Sequence, residues 1–435
     1  MTDSASRPFV APSTRWSMEH DGIDSESTIL PIGLRRTFAS LRHPAYRIYF
    51  TGQFFSLIGT WMQSAALSWL VYELTGSKVM LGLVGLVSSV PMVLLSTWGG
   101  ILADRYPRRT ILLICQIALS IQAFALAILV LTQGIHIAHL MVLAGMLGIV
   151  SGIEMPARQA FVVEMVGRPD LMNAIALNAS VFHAARILGP AVAGLLIGSL
   201  GAGWCFLANG ISYGAIIAAL LAMHLSVPPA RKASGSAWSQ ASEGFRVVLR
   251  TPGVVALLAL LLLVGIFGWS YVILMPAIAR DDLGVGPEGY GLLMSAAGVG
   301  AVAGALLVAF LGEVKDGRAV VSGSVIMFAL SIAVVSFTTN FTVALVALVP
   351  AGFSLTAFFS STNTMIQSSV SDEVRGRVMG VYTLVFASMM PLGSLQAGSL
   401  AEILGSATTI RIGASVCTLA ALAALKWMPR NMSRN

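Results

Sequence analysis

The sequence predicts an all-α membrane protein whose twelve transmembrane helices form two pseudo-symmetric six-helix halves. Three observations carry that expectation. Of the 435 residues, 56% are hydrophobic and only 10% are charged, whereas a soluble domain holds about 25% charged residues. Lipid must therefore solvate much of the surface. Apolar stretches of membrane-crossing length recur along the chain, set off by charged segments. A fourteen-residue pattern in the fifth span also returns in the eleventh.

Residues 1–33 are polar and mixed in charge, with Glu19, Asp21, Asp24 and Glu26, and lack the basic start and apolar core of a cleaved leader. They read as a disordered cytosolic tail. In 34–45, Leu34, Phe38 and Leu41 beside Arg35, Arg36 and Arg42 predict a short interfacial helix ending near Pro44. The spans are expected at 48–73, 79–103, 110–132, 138–160, 172–200, 203–225, 252–278, 289–311, 319–338, 341–364, 378–403 and 408–428. Each is near the roughly 20 residues that a helix needs to cross the hydrocarbon. Three longer apolar stretches fold into hairpins at turns near 133–139, 201–203 and 338–340. The Pro- and Ser-containing stretch 226–250 follows six spans and reads as a central cytosolic loop. It separates an N-terminal half, 34–225, from a C-terminal half, 251–428, and 429–435 reads as a second cytosolic tail.

Basic residues set the orientation. With the N-terminus inside, 22 of the 26 Lys and Arg fall in inner segments. Lys78, Arg280 and Arg411 fall outside, and Arg186 lies within a span. The chain is thus expected to be a multi-pass protein of the cell (inner or plasma) membrane with both termini cytosolic. The two-half division rests on the internal repeat: 188–201 reads LGPAVAGLLIGSLG and 392–405 reads LGSLQAGSLAEILG, seven positions matching without a gap.

Several chemistries are excluded. The net charge of +7 suits either nucleic acid or positive inner loops, but the basic residues lie between apolar runs rather than on one soluble face, which argues against nucleic acid. Cys115, Cys205 and Cys417 sit far apart inside apolar runs, and no H-E-x-x-H occurs, so no metal or other cofactor is expected. No lysine follows a glycine, which removes the ATP-binding G-x-x-x-x-G-K-[ST] loop. A G-x-S-x-G match at 210–214 falls inside a span, where no strand-to-helix turn can expose Ser212. No enzymatic role is expected.

Two motifs carry more. Residues 100–109 read GILADRYPRR, with Gly100, Asp104, Arg105, Arg108 and Arg109 in the loop after the second span. Gly100 allows close helix contact, Asp104 can face a helix N-terminus, and the arginines can pair with carboxylates and lipid phosphates. Residues 185–194 read ARILGPAVAG, in which Gly189, Pro190 and Gly194 permit a bend and tight packing. With the twelve spans and the central loop, the chain resembles the major facilitator superfamily. The first motif is similar to that family's inner-loop G-x-x-x-D-R-x-G-R-R, with Pro107 in place of a glycine. The resemblance implies that this cluster latches the two halves on the cytosolic side. The second is similar to the antiporter motif G-x-x-x-G-P-x-x-G-G, with alanine at 185 and 193; it implies export, although a plain kinked packing helix would read the same way. The stretches 38–74, 154–201 and 373–405 resemble the exporters related to enterobactin and macrolide efflux proteins, on phrases such as EMPARQA at 154–160 and RGRVM at 375–379.

Candidate chemistry follows from polar groups inside spans, which are costly and face cavities or partners. Arg186 lies near the middle of the fifth span and is expected to line a central cavity, holding an anionic substrate group or taking part in proton coupling. His183 and Asn178 share its broad face at about 100° per residue. Glu154, near the cytosolic end of the fourth span, is expected to be a latch carboxylate pairing with Arg108, Arg109 or Arg158; the rival reading is a proton carrier. Glu402 reads as a solvated charge near an outer helix end. Gln53, Gln63, Asn363, Tyr382 and Gln396 complete a candidate cavity for an amphipathic substrate. The expectation is a proton-coupled exporter of a small amphipathic, siderophore- or drug-like molecule, in contact with lipid and, by the resemblance, monomeric. The alternatives are a facilitator or importer of the same fold, or a receptor that transports nothing.

Overall fold

The computed structural model describes residues 39–167, 169–223, 237–311 and 316–428. The expected tails 1–33 and 429–435, the start of the interfacial helix and the segment 226–236 lie outside the described residues. In the N-terminal half the helices are α1 Pro44–Thr75, α2 Lys78–Arg105, α3 Arg108–Leu131, α4 Ile137–Val166, α5 Leu171–Leu200 and α6 Ala202–Ala222. After α7 Ala237–Leu249 come α8 Pro252–Asp282, α9 Pro287–Leu311, α10 Gly317–Phe337, α11 Phe341–Ser368, α12 Asp372–Leu404 and α13 Ser406–Trp427. Among the described residues, twelve of these are long and apolar enough to cross a membrane, and α7 is not one of them. The protein is a multi-pass membrane protein.

Local chemistry explains the boundaries. Pro44 begins α1 rather than ending an interfacial helix, because a proline in the first turn gives up no helical N–H bond. Among the described residues, a 3-10 turn, Ala39–Arg42, precedes it. Gly76, at φ 61°, closes α1, and the Ser77 side chain caps α2 by accepting from the Met80 amide. Asp316 and Asn340 cap α10 and α11 in the same way. The stretch expected to be a polar central loop contains α7, whose buried Val248 alternates with exposed Phe245, Arg246 and Leu249; it docks on α12 through Glu243 and Arg377, 2.6 Å apart. Two π-helical turns, Val264–Gly268 and Ile278–Asp282, interrupt α8.

Each half is a bundle with its own packing, and α2 meets α12 while α5 meets α9 across the seam between the halves. The repeat residues make these crossings possible. A Cβ built on Gly194 would stand 2.7 Å from the Pro287 carbonyl oxygen, and one on Gly398, its repeat equivalent, 2.8 Å from the Lys78 carbonyl oxygen. Backbones this close admit no side chain.

The polar contacts joining the halves gather toward one end of the bundle, the Lys78 end. Tyr72 of α1 donates to Asp281 of α8, and Lys78 lies 3.6 Å from the same carboxylate. Glu402 accepts from Ser77 Oγ at 3.2 Å and from the Lys78 and Val79 amides at 2.8 and 3.1 Å. Deeper along the seam, Ser295 Oγ donates to the Ile187 carbonyl at 2.7 Å. Toward the opposite, Arg108 end, Met172 and Ile175 of α5 and Leu306 and Phe310 of α9 are exposed. Among the described residues, the halves are therefore bonded to each other at the Lys78 end.

Candidate functional site

The seam passes Arg186, which projects from the middle of α5 just below the last polar crossing at Ile187. The guanidinium is half-buried and lies 5.9 Å from the centre of the Trp61 ring of α1. Such a face attracts a cation through its quadrupole. Trp61 packs edge-on against Phe182 at 5.5 Å, and Phe182 against His183 at 5.8 Å. From the other half, Tyr271 of α8 comes within electrostatic reach of Arg186, and its hydroxyl is buried without a hydrogen-bond partner. Next to it, Ser270 donates to Gln396 Oε1 of α12 at 3.0 Å, leaving the buried Gln396 Nε2 unpartnered. Arg186, His183 and Gln396 thus come to the region where the halves meet.

Other candidates are placed elsewhere. Asn178 accepts from the Tyr46 hydroxyl at 3.2 Å, two turns of α5 away from Arg186 toward the Arg108 end. Gln63 does not face the seam: it donates to Gln122 at 3.0 Å and accepts from Asn209 at 2.8 Å, a buried network among α1, α3 and α6. Gln53 is buried, with Oε1 unpartnered. Asn363 accepts from Gln367 at 2.6 Å and neighbours Tyr382, which stacks on Phe386. This pair lies within the C-terminal half, about 21 Å along α12 from Gln396 at 1.5 Å per residue.

The 100–109 cluster is assembled within its own half. Asp104 is exposed and lies 3.9 Å from Arg108, whose main partner is Glu164 of α4 at 2.6 Å. Arg109 donates to the Leu220 and Leu221 carbonyls at the end of α6, at 2.6 and 3.0 Å. Arg105 is exposed. The close helix contact expected of Gly100 belongs to Gly99, where a Cβ would stand 2.6 Å from the Gly152 carbonyl oxygen; Gly100 faces open space. Among the described residues, these bonds of Asp104, Arg108 and Arg109 stay within the N-terminal half.

Glu154 is also not at a helix end. α4 runs on to Val166, so Glu154 is buried mid-helix, 3.7 Å from Arg158 and accepting from Gln116 Nε2 at 3.1 Å. The charged residues of 154–164 are accommodated in the helix because they find partners along α4 and on α3. Glu164, the partner of Arg108, is not among the expected residues, and no local pattern in the sequence marks it. In α5, Gly189 packs on Trp61 and Met62 of α1, and its repeat equivalent Gly393 on Gly265 and Ile266 of α8. The antiporter-like motif is therefore a packing surface on both sides of α5.

A family model described as transmembrane secretion effector matches residues 35–434. The chain is 26% identical to the staphyloferrin A transporter of Staphylococcus aureus, over 84% of this chain and 92% of that one. It is 27% identical to the multidrug efflux pump Tap of Mycolicibacterium fortuitum, over 80% and 87%. It is 25% identical to the enterobactin exporter EntS of Escherichia coli O1:K1, over 88% and 90%. The crystal structure of nucleoside transporter NupG superposes with a TM-score of 0.73 at 13% identity, covering 88% of this chain and 98% of that one; this likeness shows a shared fold.

Proposed function

The chain belongs to the transmembrane secretion effector family of the major facilitator superfamily, and from that premise we propose that it is a proton-coupled exporter of a small amphipathic molecule. The relatives named for siderophores and for drugs support efflux and this size class. The observation that carries the mechanism is the seam, bonded at the Lys78 end among the described residues, with a half-buried guanidinium just inside those bonds. The bias of basic residues assigns the Arg108 end to the cytosol, so this conformation receives substrate from inside. Rocking of the halves would break the Tyr72, Lys78 and Glu402 contacts, open the Lys78 end, and bring Asp104 against α12. Proton entry would drive the return.

The test is flux from proteoliposomes loaded with siderophore, macrolide and cationic-dye candidates under an imposed proton gradient. Efflux that rises with the gradient and is lost on its collapse is expected. Flux indifferent to the gradient supports a facilitator instead, and absence of flux across a broad panel together with recovery of a stable partner supports a receptor.

A further inference from the structure

We infer that the seam holds a carboxylate-binding site built by Arg186 of one half and Tyr271 of the other, and that the substrates are organic acids with an aromatic or apolar body. The inference rests on the transporter reading only in taking the seam as the substrate path.

Arg186 lies fifteen residues from Leu171 and fourteen from Leu200, at the depth where a charge is most costly. Arginine cannot shed its proton, so the charge must be answered. Among the described residues no carboxylate pairs with it; its neighbours are the Trp61 ring and the Tyr271 phenol. Neither is an anion. The Tyr271 hydroxyl is buried without a partner, as are Gln396 Nε2 nearby on the same half and His183 Nδ1 beside Arg186. The guanidinium and the amide N–H only donate, and the phenol hydroxyl beside Arg186 can donate as well as accept. A positively charged, donor-rich set of this kind fits a group that accepts and carries negative charge. The planar guanidinium fork matches a carboxylate in two parallel bonds. Trp61 and Phe182, packed edge to face, form an apolar wall for the rest of the molecule. A cationic compound would meet Arg186 at the same point and be repelled. Because the donors come from both halves, a bound acid ties them together and favours closure around itself.

The experiment uses the full chain in nanodiscs and three probes with one body: 1-naphthoate, its methyl ester and 1-naphthylmethylammonium. Calorimetry is expected to show binding of the acid, at least tenfold weaker binding of the ester, and no binding of the amine. Arg186→Gln is expected to lose acid binding by at least tenfold, Arg186→Lys to keep part of it, and Tyr271→Phe to weaken it severalfold, all three melting near the parent temperature. Equal binding of the three probes, unchanged acid binding by Arg186→Gln, or no acid binding by the parent overturns the site. Acid binding without gradient-driven efflux leaves the site standing and counts against the exporter; efflux indifferent to Arg186→Gln does the reverse.

Discussion

Glu402 closes the Lys78 end by taking three donors from the start of a helix in the opposite half. A carboxylate at an exposed helix N-terminus contributes about 0.3–1 kcal/mol. Glu402→Gln is therefore expected to shift the population toward opening of that end about two- to fivefold, read as a longer distance between spin labels at the ends of α1 and α8. Glu154 acts within one half. Removing one partner of a buried ion pair costs about 3–5 kcal/mol; Arg158 keeps 31% of its side chain exposed, which lowers the expected cost of Glu154→Gln to about 2 kcal/mol. The double variant Glu154→Gln, Arg158→Gln should recover most of the lost melting temperature; equal loss in single and double would show that the pair does not stabilise α4. At this scale the sequence disclosed which residues are out of place in lipid, and Arg186 stood out for that reason. It did not disclose partners. Glu402 read as a solvated charge because its three donors come from residues more than 320 positions away, and Gln63 read as a cavity residue because a polar side chain in a span looks the same whether it faces a cavity or Gln122 and Asn209.

The helices show why the repeat matters. Gly189 and Gly393 seat the fifth and eleventh spans on the first helix of their own halves, while Gly194 and Gly398 let the same spans meet the opposite half. Overpacking a close contact costs about 1–3 kcal/mol. Gly194→Val and Gly398→Val are each expected to oppose closure of the Lys78 end by that amount, separating spin labels across it, while the parts of each half stay folded by circular dichroism. A closed tip in both variants would count against the glycines as contact sites. The spans were legible because burial in lipid demands about 20 apolar residues with internally bonded backbone. Boundaries failed where side-chain pairing carried a helix past its apolar run, as in α4 beyond 160, or where an amphipathic pattern too short for a span formed α7.

For the whole molecule, rocking requires that each end be held in turn. Among the described residues Asp104 pairs with Arg108 of its own half, so Asp104→Asn is expected to leave acid binding and the melting temperature unchanged in this conformation yet reduce transport more than tenfold, measured as initial efflux from proteoliposomes. Loss of binding in this variant would mean that Asp104 acts at the seam rather than at the latch. The sequence by itself determined the class, the twelve spans, the two related halves and the few polar residues that lipid does not tolerate, because hydrophobic length and repeat are written locally along the chain. Only the tertiary structure decided which end of the seam is bonded, that Glu402 and Asp281 hold it, that Asp104, Arg108 and Arg109 pair within their own half among the described residues, and that Arg186 meets Trp61 and Tyr271. Those depend on which faces of distant helices converge, and a helix's apolar periodicity in lipid leaves that choice open until the halves are packed.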